Sequence, residues 1–262
     1  MAVDPIESFA YEFTTRVEHY FAGLMQAATR VSHSQLEPSL GGKLLYAGEL
    51  DAEVRALVIA ANIAGAASIT STANAAAAKQ AMRDGVVDFL VTSLDEALRI
   101  LKNEIRKRET VAVCVAVAPE MLEEQMQERG VAPDLVRKIT NAASPRHRAS
   151  QVQALAAQQD QLIVAWSVTA APALWMPKLD AIALSCIDSE NGGTRRWLRL
   201  GPRYLGRIAQ GLRLLRCTGQ IAADLRTQIQ QRVEIGEIQV PVKLCVSAGG
   251  RRESFTFNSL TG

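Results

Sequence analysis

LLYAGELDAEV, residues 44 to 54, reads as an apolar strand, a glycine and the start of a helix. This is the layout of the turn through which a dinucleotide-binding fold offers a helix N-terminus to a pyrophosphate. Of the glycines such a turn uses, Gly48 is present. Glu49, Leu50, Asp51, Ala52, Glu53 and Val54 follow it. Fold and ligand are therefore two separate questions in this chain.

Working outward, the apolar runs LLYA (44–47), ASIT (67–70), VDFLV (87–91) and VAVCVAV (111–117) alternate with segments of helical character. Continuous rather than alternating apolar strands are buried on both faces, which calls for a parallel sheet between helices. The punctuation agrees. Ser93 and Glu96 have capping-box spacing, and Leu94, Leu98, Leu101 and Ile105 make one stripe. Gly65, Gly85 and Gly130 fall where helix C-terminal caps belong. The fold class expected is α/β, a Rossmann-like parallel sheet flanked by helices over residues 41–150, preceded by an N-terminal long helix and followed by a C-terminal mixed α/β region.

Residues 5–29 place Ile6, Phe9, Phe13, Val17, Phe21 and Leu24 at helical spacing, which predicts one amphipathic helix in the N-terminal segment 1–40. Its aromatic stripe needs a cover, either from residues 151–262 or from a second subunit, and a homodimer is expected on that ground. In the C-terminal region the pattern predicts a helix over 149–158, a strand over LIVAWSV (162–168) and a helix from Pro177. A further helix is expected over 220–234, then a hairpin of IQVPVKLCVS and RRESFTF around Ala248, Gly249 and Gly250.

With 48% hydrophobic residues the 262-residue chain can bury a substantial core, and a net charge of +2 supplies no global field for nucleic acid or membrane. Cys114, Cys186, Cys217 and Cys245 are far apart and have no histidine at ligand spacing, so neither a metal site nor a disulfide framework is expected. The N-terminus, MAVDPIESFAYEF, is acidic where a signal peptide is basic, which leads to the expectation of a cytoplasmic protein.

GGKLLYAGELDAEV, SLDEALRILKNE, EMLEEQMQERGVAPDLV and TNAAS occur in this order, in a run from about Lys43 to about Ser144 with Gly41 and Gly42 just ahead of it. Together they resemble the dinucleotide-binding domain of urocanase, the urocanate hydratase of histidine breakdown. RGVAPDLV and SLDEAL are the most specific pieces. The resemblance implies a domain that grips NAD tightly and uses it as an electrophile towards the substrate's imidazole ring. In the family this domain lies within a larger substrate-binding core. With about 40 residues ahead of the domain here, no catalytic residue is carried over, and His19, His33, His147, Cys186 and Cys217 stay as unassigned candidates.

The family's ligand-contacting turns depart from its pattern in this chain. Three carboxylates, Glu49, Asp51 and Glu53, stand in the phosphate turn, where they favour the helix dipole and repel a pyrophosphate. Ser71 and Thr72 replace the acidic ribose anchor at the end of the second strand, and they suit equally the capping of the next helix. Val117, Ala118, Pro119 and Glu120 replace a polar turn, and Asn141 and Ala142 replace an Asp-Gln pair. Gly48, Glu49, Ser71, Thr72, Ala118 and Asn141 are the residues expected to line the crevice. The expectation is a scaffold retained with NAD binding lost, in which another small ligand or an assembly partner takes the cofactor's place.

Seven arginines lie between Thr194 and Cys217 without an intervening acid, and Trp197 and Tyr204 are interleaved with them. Arg195, Arg196, Arg199 and Arg203 are the candidate anion-binding residues, because guanidinium forks match phosphate. The competing reading is a helix with Leu205, Ile208, Leu212 and Leu215 on its apolar face and arginines paired elsewhere, which the small net charge favours. Two further functional readings follow: a divergent NAD-dependent hydratase, and a nucleic-acid-binding module on 195–216.

Overall fold

A computed structural model of the protein describes residues 5–31, 38–137, 150–152, 161–248 and 251–258. The chain divides into two compact units, one of residues 1–18 with 156–262 and one of residues 19–155. The division falls inside the first helix, α1 (Pro5–Val31).

The unit of residues 19–155 is the α/β one. Its elements are β1 (Leu44–Glu49), α2 (Ala52–Ala64), β2 (Ala67–Ser71), α3 (Ala75–Arg83), β3 (Phe89–Val91) and α4 (Leu94–Lys107). They continue with β4 (Ala112–Val115), α5 (Pro119–Glu128), β5 (Leu135–Arg137) and β6 (Ser150–Val152). All six strands are parallel, in the order β3-β4-β2-β1-β5-β6. Ser150–Val152 pairs with β5 where the sequence predicts a helix, and the rest of 149–158 lies outside the described residues.

On one face Leu44, Ala67, Ile69, Val113 and Val115 pack with Leu94, Ala97 and Leu101 of α4 and Leu122 and Met126 of α5. On the other, α2 lies against β1 and β2, and Val54, Leu57, Val58 and Ile63 are buried. Right-handed crossovers place α2 and α3 on one face and α4 and α5 on the other. The chain leaves β2 and its neighbour β4 towards opposite faces, which opens a crevice at their carboxyl ends.

The caps are those the sequence carries, with one change. Ser93 Oγ accepts from Glu96 N–H at 3.3 Å, and Gly65 closes α2 at φ +93°, a left-handed cap that glycine adopts without strain. The N-cap of α3 is Asn74, which accepts from Ala76 and Ala77 N–H, and not Ser71 or Thr72. Thr72 Oγ1 accepts from Asn74 N–H at 3.2 Å and so serves the turn just ahead of the cap.

The other unit carries β7 (Leu162–Ser167), α6 (Pro172–Ser185), α7 (Gly192–Leu205), β8 (Leu212–Cys217), α8 (Gly219–Glu234), β9 (Val242–Ala248) and β10 (Arg251–Phe257). Its antiparallel sheet has the order β10-β9-β7-β8. The C-terminal hairpin and α8 match the sequence pattern, while α6 begins at Pro172 and takes Pro177 into its interior. The arginine-rich stretch is not one helix. It is α7, a 3-10 turn over Gly206–Ala209 and β8, so Leu212 and Leu215 lie on a strand. Gly211 is the break: a Cβ there would stand 2.5 Å from the Val168 carbonyl oxygen, so only glycine fits.

Along α1, Phe13, Val17, Phe21 and Leu24 are buried within the chain. The stripe that raised the expectation of a second subunit is thus covered by the chain itself, and Phe9 stays exposed. Among the described residues no helix is long and apolar enough to cross a membrane.

Candidate functional site

The carboxyl edge of the parallel sheet gathers Gly48, Glu49, Ser71, Thr72 and Ala118 from the sequence-based set. Asn141 lies outside the described residues, as do His33 and His147. Gly48 lies within β1, where the pairing with β2 shifts register, at φ +87° and with no atom within 4 Å of where a Cβ would stand. Its carbonyl accepts the Thr70 hydroxyl at 2.6 Å. Leu50 N–H donates to the Ser71 carbonyl at 2.8 Å, which extends the β1–β2 ladder beyond the strand. The turn is therefore ordered by the sheet beneath it.

What the turn presents is its own acids. Asp51 is the N-cap of α2, and its Oδ1 accepts Val54 N–H at 2.6 Å. Its other oxygen, Oδ2, accepts from Arg137 Nη1 of β5 at 3.2 Å. Glu53 in the first helical turn accepts the Tyr20 hydroxyl of α1 at 3.1 Å. Burial and the Glu53 carboxylate push the Tyr20 phenol above its ordinary value. Glu49 is exposed.

On the α4/α5 face a second set of groups meets. Tyr46, opposite Ile69 in the register, donates its hydroxyl to Glu123 Oε1 of α5 at 2.9 Å. Burial raises the Tyr46 phenol above its ordinary value, and Glu123 and Glu120 add to the shift. Ser71 is fully buried, and its hydroxyl is hydrogen-bonded with that of Tyr46. Tyr20, Tyr46, Glu123 and Arg137 are not found by reading the sequence, because each reaches the edge from an element distant along the chain. The one available signal is the tyrosine inside the apolar run LLYA, whose polar end needs a partner when the ring is packed.

The remaining candidates are placed elsewhere. Cys186 and Cys217 belong to the other unit, where burial pushes both thiols up, Cys217 to about 12. That is the opposite of nucleophile activation. Cys114 is buried in β4, its thiol likewise raised to about 11. His19 is half-buried on α1 and is engaged in an interaction of its own.

Six of the seven arginines have interactions within the chain. Arg195 donates to the carbonyls of Leu184 at 3.0 Å and Ile187 at 2.9 Å, closing the end of α6. Arg196 and Arg199 take part in interactions as well, and Arg203 lies over the Tyr204 ring at 5.4 Å. Arg213 pairs with Asp180 at 3.1 Å, and Arg216 holds both oxygens of Glu18 at 2.8 and 2.7 Å. These are the pairings with acids elsewhere that the small net charge favours.

A six-stranded parallel sheet with helices on both faces is the architecture of a Rossmann-like domain. A family model described as the urocanase Rossmann-like domain matches residues 21–162, which extends the resemblance seen from Lys43 to Ser144 at both ends. That match covers more than half of the chain, and the protein belongs to the urocanase Rossmann-like domain family.

Proposed function

We propose that this protein is a member of the family that has lost NAD and urocanate hydratase activity, and that it binds another small ligand at the same crevice or serves as an assembly partner. The observation that carries the reading is the start of α2. The Val54 amide, where a pyrophosphate meets a helix N-terminus, is held by Asp51's own carboxylate at 2.6 Å. Glu49 and Glu53 add two further carboxylates beside it. An incoming pyrophosphate meets like charge there and has to displace a cap as well. These residues do not suit the NAD that the family implies.

The end of β2 supports the same reading. The family's ribose anchor is an acid, whereas Thr72 here is engaged with the Asn74 amide and Ser71 is enclosed beneath Tyr46. The test is native mass spectrometry of the purified protein with an assay of urocanate consumption. The expected result is the bare chain mass and no consumption. A co-purifying mass equal to NAD, with urocanate turnover, contradicts the reading.

A further inference from the structure

We propose that β10 pairs edge to edge, antiparallel, with the same strand of a second copy of this chain, in the register that sets Phe255 opposite its own copy. The inference goes beyond the reading above and does not depend on it, since β10 lies outside the stretch that matches the family.

The antiparallel sheet has two edges, β8 and β10, and the chain treats them differently. At β8 the Leu214 carbonyl accepts from Trp197 Nε1 of α7 at 2.6 Å, and the Leu212 carbonyl accepts from Arg213 Nη1 at 2.9 Å, so the chain's own side chains cover that edge. β10 pairs with β9 from Arg251 opposite Ala248 to Phe257 opposite Val242 without a register shift. Among the described residues no side chain bonds to its backbone. Edges are commonly blunted by shortness, proline or a bulge, and this strand of seven residues has none of the three. Its charges are gathered at one end: Arg251, Arg252 and Glu253 precede the neutral run Ser254, Phe255, Thr256 and Phe257.

That order of charges selects both partner and register. A twofold axis normal to the sheet sets one residue opposite its own copy and pairs residues equally far to either side of it. Centred on Arg252 it opposes two guanidinium groups, and centred on Glu253 two carboxylates, both destabilising. Centred on Ser254 it leaves the two copies of Glu253 as diagonal neighbours. Centred on Phe255 it opposes the two rings, sets Ser254 against Thr256, and moves every Arg and Glu of the strand to the ends of the seam. Phe257 then lies diagonal to Phe255 of the other copy, within reach of an aromatic side chain. Four rings gather in this way on the face where Arg226 of α8 lies over Phe255 at 3.8 Å. Phe255 and Phe257 are half-buried in the single chain, and the seam covers ring surface that the chain alone leaves in water.

The experiment is sedimentation velocity of the full chain over a micromolar concentration series, the range suited to a seam one strand wide. The wild-type chain is expected to dimerise. Ser254→Lys combined with Thr256→Lys, both at exposed positions, sets like charges opposite each other twice and is expected to weaken the dimer about tenfold or more. The chain carrying Ser254→Glu and Thr256→Glu is expected to behave alike, and mixing the two variants to restore a heterodimer. Phe255→Cys reads the register independently of these variants: seated against its own copy, it is expected to give a disulfide-linked dimer under mild oxidation, which the wild-type chain does not. A wild-type chain that stays monomeric throughout the series, a dimer that the paired lysine substitutions leave unchanged, or the absence of a cross-link at position 255 overturns the inference.

Discussion

At the scale of the residue, Asp51 carries two roles that separate cleanly by substitution. As the N-cap it satisfies the Val54 amide, so Asp51→Ala is expected to lower stability by about 1 kcal/mol, whereas Asp51→Asn, an equally good cap, leaves it close to wild type. Denaturant midpoints of the two variants check this. Asp180 gives the clearest pH signature. Burial raises its carboxyl above the ordinary aspartate range, and Arg213 and Trp166 offset part of the shift. The folded state then binds more protons than the unfolded state between those two values, so this group's contribution to stability falls as pH rises through that window. Asp180→Asn removes the titration. The wild-type denaturant midpoint is expected to fall relative to the variant's as pH rises upward from the ordinary aspartate range, and a constant difference contradicts it. At this scale the sequence is a partial guide. Gly48 and the acids of the turn are visible in the order of residues, but the Tyr46–Glu123 bond joins positions 77 apart, and only the strand order brings them together.

Elements with strong periodicity or strong caps are legible, and short ones are not. The apolar runs that become β1, β2 and β4, the stripe of α4 and the glycine caps all state their structure locally, because burial on two faces and left-handed backbone each demand particular residues. β5 and β6 have three residues each and take their conformation from pairing with neighbours, which no short window contains. The stretch 195–216 misleads for a related reason: Leu205, Ile208, Leu212 and Leu215 fit a helical period, and only the tight approach of Gly211 to Val168 divides α7 from β8. Arg216 of β8 and Glu18 of α1 form an ion pair with side chains 9% and 5% exposed. Glu18→Ala leaves the guanidinium buried without its carboxylate and is expected to cost about 3–5 kcal/mol. Thermal unfolding of the variant checks it, and an unchanged midpoint would show that the pair does not tie α1 to β8.

At the scale of the whole molecule, the proposed reading is of a fold that has outlasted the features of a cofactor domain. The parallel sheet lies in the stretch that matches the urocanase Rossmann-like family, while Glu49, Asp51 and Glu53 stand at and after the end of β1. Scaffold and ligand separate in this way because packing inside the sheet and chemistry at its rim rest on different residues. The family was legible from SLDEAL and RGVAPDLV, stretches that form α4 and the approach to β5 away from the altered turn. The residues at the sheet's carboxyl edge were not, since they converge from β1, β2 and α5. The direct test of the central claim is calorimetric titration of the purified full chain with NAD. No saturable heat is expected at millimolar NAD, and stoichiometric heat with micromolar affinity would show that the acidic turn still accepts a pyrophosphate.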